Sequence, residues 1–334
     1  MKQIYNQFIN DKEYHIKVTI SNSFAVISKL IGPENSERDI APVIMSYFKN
    51  NGFAIKSVII NILPEYISTI KNIDIKAQFL ECFEKMSDET KKWRSKKEYA
   101  LVIGKLSSIY CDETIVNKLL PVIVPLCFHT VHEVRIKAIK QLSKLCIKLL
   151  NSGNEEYKNK CIMIIESFAM CVHYHYRQLF LHICKSFFKC EKLFKEFLFE
   201  MFIDLAFDKV VNVRFTQGKL LKKGIAKYDW MKNDDKIQGI VKLFKEQRES
   251  KVLREMMDNM EIKEGVTVIE RRNNVNTKFN RKMELIVQMF KFTPTSLGNS
   301  LWLKDNNKKN NNSQNTQSFK EEQKEETIDT NSNQ

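Results

Sequence analysis

The sequence is short of the residues that make turns, with 9 glycines and 6 prolines in 334 positions. So little turn material excludes a hairpin-rich β protein and points to helices joined by short connections. The 8 cysteines include no C-x-x-C pair, and most fall on apolar helix faces, where a free thiol behaves as a small hydrophobe. The chain therefore reads as reduced and intracellular, cytoplasmic with the nucleus as the alternative. Long apolar runs are also missing. The longest, Leu119 to Phe128, carries Pro121 and Pro125 inside it, and residues 1–30 lack the basic-then-apolar order of a signal peptide. No membrane span or leader is expected.

Catalytic patterns are absent as well. There is no Gly-rich phosphate loop, no Gly-x-Ser-x-Gly elbow and no His-Glu-x-x-His, so an enzyme is not expected. Glu196, Glu200 and Asp204 recur four apart beside Lys192 and Lys195, the pattern of a solvated helix face rather than an acid/base pair. Histidines gather at His129 and His132 and at His173, His175 and His182, near Cys171 and Cys184. His175 and His182 share a helical face, but His173 points elsewhere and no carboxylate stands at ligand spacing. Neither a metal nor a cofactor is expected.

What is present is charge and periodicity. Lys and Arg number 54 against 40 Asp and Glu, a formal net charge of +14. Such a balance suits nucleic acid, an acidic protein surface or a lipid headgroup layer, and alone does not choose among them. Aromatic residues are not interleaved with the basic ones as a base-stacking code requires, which argues against a nucleic-acid reader.

A basic residue recurs at Lys17, Lys56, Arg94, Arg135, Arg177, Arg214 and Arg254, in steps of 39, 38, 41, 42, 37 and 40 residues. Each follows a large apolar residue: Ile16, Ile55, Trp93, Val134, Tyr176, Val213 or Leu253. Three residues further on, five of the seven rows are apolar again, Lys97 and Gln217 being the exceptions. A period near 40 with helical spacing on both sides of a short turn predicts an all-α solenoid of stacked antiparallel helix pairs. In such a stack the second helices are expected to line a concave face and the turns an exposed edge.

A base at a helix start is unfavourable by about 0.3–1 kcal/mol, so something must offset it. One candidate is a carboxylate six residues earlier, present as Asp11, Asp88 and Asp208. The other is a partner molecule facing the turns. On this basis Arg214, next to Asp208, is expected to be structural, and Arg177, with Cys171 in the equivalent place, to be free for a partner.

The turn Asp208-Lys209-Val210-Val211-Asn212-Val213-Arg214 resembles the Asp-x-Val-x-Asn-Val-Arg turn of HEAT repeats in protein phosphatase regulatory and scaffold subunits. The run from His175-Tyr176-Arg177 through Lys192-Leu193-Phe194 to Val213-Arg214 is similar to the regulatory subunits of protein phosphatase 4, a motif-level likeness over about residues 170–262. The resemblance implies a non-catalytic regulatory or scaffold subunit. It would bind a serine/threonine phosphatase catalytic subunit of the type 2A/4 class through turns of consecutive repeats and direct it to substrate proteins. The matching positions are Trp93, Arg94, His132, Arg135, Tyr176, Arg177, Asn212 and Arg214. The alternative is a HEAT-repeat adaptor for transport or nucleic acid.

The expected organisation is a solenoid over 1–264 (a half unit and about six repeats), a semi-ordered extension over 265–303 and a disordered polar tail over 304–334. Expected helices include 36–49, 93–110 and 251–263, with a hinge at Asn151-Ser152-Gly153-Asn154.

Overall fold

The computed structural model describes residues 7–9, 11–50, 52–89, 92–246 and 250–270. The expected tail at 304–334, and all of the extension beyond Glu270, lie outside the described residues. Up to Met257 the described chain is a series of helices joined by short turns. Its helices are α1 (Tyr14–Ile31), α2 (Pro33–Asp39), α3 (Ala41–Asn50), α4 (Phe53–Thr69), α5 (Ile73–Glu89) and α6 (Trp93–Leu106). Then α7 comprises Asp112–Thr114, a π-helical turn Ile115–Leu119 and Leu120–Cys127; α8 is His132–Leu150, α9 Glu155–Ala169 and α10 Tyr174–Phe187. Next, α11 comprises Glu191–Leu193, a π-helical turn Phe194–Leu198, Phe199–Asp204 and a final tight turn Leu205–Phe207. The array ends with α12 (Val211–Ile225), α13 (Asp229–Asn233), α14 (Asp235–Glu246) and α15 (Lys251–Met257).

The helices pack in sequence order. Second helices form one layer, α1 on α4, then α6, α8, α10, α12 and α15, each against its neighbours. First helices α9, α11 and α14 lie on the other side in the same order. Every extensive contact is between elements adjacent in the chain or one repeat apart, as expected when no single pair can bury its apolar face alone. The apolar residue of the repeating column explains the registry. Ile55, Val134, Val213 and Leu253 are buried, and Trp93 and Tyr176 are half-buried against the same core.

Several boundaries differ from expectation. The helix expected over 36–49 is two, broken at buried Ile40, because Pro42 has no N–H to donate to the Arg38 carbonyl and fits only the first turn of α3. Gly32 before it has φ +82, a left-handed setting that glycine adopts without strain, and Pro33 then starts α2. The helix expected over 93–110 ends at Leu106, after which Lys148 Nζ crosses from the next repeat to donate to the carbonyls of Ser107 (2.9 Å) and Tyr110 (3.0 Å). The last helix ends at Met257 rather than Lys263, and an extended strip follows. It lies on α14, with Val266 at the edge of burial, Ile269 against the core and Lys242 Nζ donating to the Val266 carbonyl. Gly239 lets it approach, since a Cβ there would stand 2.9 Å from the Thr267 carbonyl oxygen.

The expected hinge at 151–154 is a capped turn. Asn154 Oδ1 accepts from the backbone N–H of Glu156 and Tyr157, Ser152 Oγ donates to the Leu149 carbonyl, and α8 packs directly on α10 across it. Its hydrogen bonds make it a connection inside the stack. Among the described residues no helix is long and apolar enough to cross a membrane.

Candidate partner-binding edge

The eight residues singled out in the sequence sit at the starts of α6, α8, α10 and α12, on consecutive turns of one edge. None of these helices begins with a side-chain cap, so their first N–H groups face outward. The eight divide sharply by burial.

Arg177 is buried. Its Nη1 donates to the carbonyls of Cys171 and Val172, both at 2.7 Å, and its Nη2 donates to Asp208 Oδ1 at 2.9 Å. Nε completes a two-pronged clasp on the same carboxylate through Oδ2. Arg214 is buried too, and its Nη1 donates to the carbonyl of Asp208. The Asp208 carboxylate also accepts from the Val210 N–H at 2.8 Å, fixing the start of α12. Arg135 repeats the theme: its Nη1 donates to the carbonyls of His129 (2.8 Å) and Thr130 (2.6 Å).

These bonds overturn the sequence assignment. Arg177 is not free, and the carboxylate six residues before Arg214 serves the preceding repeat. All three rows share one acceptor, the carbonyl six residues back, and in the Arg177 row the Asp208 carboxylate of the next repeat adds a counter-charge. That carbonyl belongs to the end of the first helix or the turn after it, where unpaired C=O groups carry partial negative charge. Of the other two acids, Asp11 Oδ1 accepts from the Glu13 N–H, and the Asp88 side chain lies outside the described residues.

The rest of the edge is accessible. Arg94 is exposed, with its guanidinium 4.6 Å from the centre of the half-buried Trp93 ring. Lys97 reaches the same ring at 5.6 Å and pairs with Glu133 of α8 at 3.2 Å. His132 and Asn212 are exposed, and the Asn212 carbonyl accepts from Gln178 Nε2 of the preceding repeat at 3.1 Å. Tyr176 is half-buried against Phe128, ring centres 5.0 Å apart, and burial pushes its hydroxyl above the ordinary phenol range. Gln178, which also bonds Thr216 Oγ1 at 2.9 Å, was invisible in the sequence because its partners are in another repeat.

No group of three or more His, Cys, Asp or Glu among the described residues is placed to hold a metal ion. The histidines carry a different consequence. Burial, reinforced by nearby Lys185 and His132, lowers the His182 pKa, and burial with Lys96 and Arg135 lowers that of His129. A histidine with a lowered folded pKa binds fewer protons folded than unfolded once the pH falls below about 6.5, so the fold loses stability as the solution is acidified. Melting temperature should drop between about pH 7 and pH 5, and His182→Asn should make that drop shallower. An unchanged slope in the variant would remove His182 from the account.

No protein-family model matches the chain. Over 239 residues, 69% of its length, it is 23% identical to human serine/threonine-protein phosphatase 4 regulatory subunit 1 and 22% identical to the mouse and rat proteins. The match spans 25% of each relative, so the chain corresponds to about a quarter of their length. Two engineered proteins of known crystal structure align with TM-scores of 0.39 and 0.40 at 13% and 14% identity. These cover 68% and 77% of this chain and 97% and 66% of theirs. The matched relatives are regulatory subunit 1, and identity of this order does not resolve which regulatory subunit of protein phosphatase 4 the chain corresponds to. The chain is an all-α solenoid of HEAT-like helix pairs, similar to the regulatory subunits of protein phosphatase 4.

Proposed function

We propose that the chain is a non-catalytic regulatory subunit that holds a serine/threonine phosphatase catalytic subunit of the type 2A/4 class and directs it to substrate proteins. The observation that carries this reading is the 239-residue similarity to phosphatase 4 regulatory subunit 1, which extends over most of the array. The contact surface is the accessible part of the edge: Arg94 on Trp93, His132, Tyr176 and Asn212. Arg135, Arg177 and Arg214 act from inside, holding each turn so that the exposed members keep their spacing. The buried free thiols Cys127, Cys146, Cys161, Cys171 and Cys184 suit a reducing compartment, the cytoplasm first.

The test is co-precipitation of a type 2A/4 catalytic subunit with the wild-type chain and with the double variant Arg94→Glu/His132→Glu. Both positions are exposed, so the fold should be retained, and captured phosphatase should fall at least about tenfold, the scale of losing a favourable interfacial charge contact. Equal capture by both proteins would remove this edge from the interface, and no capture by wild type would overturn the reading itself.

A further inference from the structure

Charge in this solenoid is sorted by layer. In the first helices acids match or outnumber bases: Asp112 and Glu113 open α7, Glu155, Glu156 and Glu166 lie on α9, and α11 carries Glu191, Glu196, Glu200 and Asp204. The second helices α8, α10 and α12 together carry one acid, Glu133, against eleven Lys and Arg. Glu133 is held by Lys97. Three of the eleven, Arg135, Arg177 and Arg214, are tied to turn carbonyls, and Lys148 and Lys222 donate to the carbonyls of neighbouring repeats.

The remaining lysines lie on the open face. Lys137, Lys140 and Lys144 recur three and four residues apart on the exposed stripe of α8, Lys185 lies on that of α10, and Lys219 and Lys223 on that of α12. The bonds from Gln178 to Asn212 and Thr216 set α10 beside α12 in a register that puts Lys185 level with Lys223. With α8 packed on the other side of α10, the stripes form adjoining rows, about 8–10 Å apart between helix axes and about 6 Å per turn along them. Among the described residues the exposed large apolar side chains at these helices are Val172 just before α10 and Val211 at the start of α12, both at the turn end, and the half-buried Phe215 ring lies under Lys219 Nζ at 4.1 Å.

We infer that this face binds the sugar-phosphate backbone of duplex nucleic acid without reading its sequence. Stable protein interfaces have a core of aromatic, Met and Arg anchors from which Lys is depleted, whereas this face offers six lysines and, on α12, a half-buried Phe215 ring that Lys219 covers. A duplex presents dense, regular phosphate charge that point-like ammonium groups neutralise, with release of condensed counterions. The missing aromatic interleaving, which argued against base reading, is what a backbone-only contact allows. The inference stands independently of phosphatase binding, which uses the turn edge rather than the helix faces.

Fluorescence anisotropy of the full chain with a short mixed-sequence DNA duplex tests it. About six phosphate contacts predict an affinity loss on the order of a thousandfold between about 50 and 200 mM salt. Lys140→Glu/Lys185→Glu/Lys223→Glu should weaken binding on the order of a hundredfold. The same charge change placed on exposed lysines elsewhere, Lys85→Glu/Lys192→Glu/Lys232→Glu, should cost about threefold or less. Circular dichroism checks folding, and the neutral Lys→Gln triple replaces the Glu triple if the latter melts early. Equal losses in the two triples would reduce the effect to net charge and overturn the inference. So would polyglutamate of matched charge binding as tightly as the duplex, since the face would then suit an acidic protein segment.

Discussion

Asp208→Ala is expected to lower stability by about 3–5 kcal/mol, a large loss for one turn residue, because it leaves the buried Arg177 guanidinium without its counter-charge. The Arg177 and Asp208 side chains are only 10% and 4% exposed, so water cannot replace the lost carboxylate. Two bonds to the carbonyls of Cys171 and Val172 would remain, while the Val210 N–H at the head of α12 would also lose its acceptor. A like-sized apolar pair behaves differently. Arg177→Met/Asp208→Leu removes both charges and should recover most of the loss, because desolvation of the pair offsets much of its attraction. Urea denaturation of wild type, Arg177→Met, Asp208→Leu and the double variant closes the cycle. A midpoint for Asp208→Ala equal to wild type would show that the clasp contributes nothing to folding.

That clasp also marks the limit of what the sequence could tell. The period was legible because its signal is local and repeated, an apolar side chain entering the core one residue before a base that turns back on its own turn. Even the weak rows have a physical reason. Gln217 is fully buried and donates to the Phe202 carbonyl, and Lys97 is half-exposed and pairs with Glu133. The partner of Arg177 was not legible, because Asp208 stands 31 residues away, and counting within one turn assigned it to the nearer Arg214. The reversal took Arg177 of α10 out of the accessible part of the candidate edge and left Arg94, His132 and Asn212 there. The split at Ile40 did have a local sign, Pro42, which cannot donate to the Arg38 carbonyl and fits the first turn of a new helix, but the apolar period running through it reads as one helix. The lysine face emerged only when helix packing showed which stripe of each helix stays open.

Phe188→Ala should be as costly as loss of the Asp208 carboxylate, about 3–5 kcal/mol, and its effect should stay in one part of the chain. Phe188 ends α10 with its ring 5.2 Å from Phe194, 5.8 Å from Phe202 and 6.5 Å from both Tyr228 and Trp230, measured between ring centres. Its carbonyl accepts from Trp230 Nε1 at 2.9 Å, so α10, α11 and α13 meet at this side chain. The floor of the site cannot collapse easily, because Gly224 already brings the α12 backbone against Met231 and the Phe188 ring. In a stack where each repeat touches only its neighbours, such a cavity destabilises the interfaces that line it and is transmitted weakly along the array. Amide exchange should therefore accelerate in α10 through α13 while α4 and α6 keep their protection. Equal acceleration in α4 would mean that the array unfolds as one cooperative unit and would rule out nearest-neighbour behaviour.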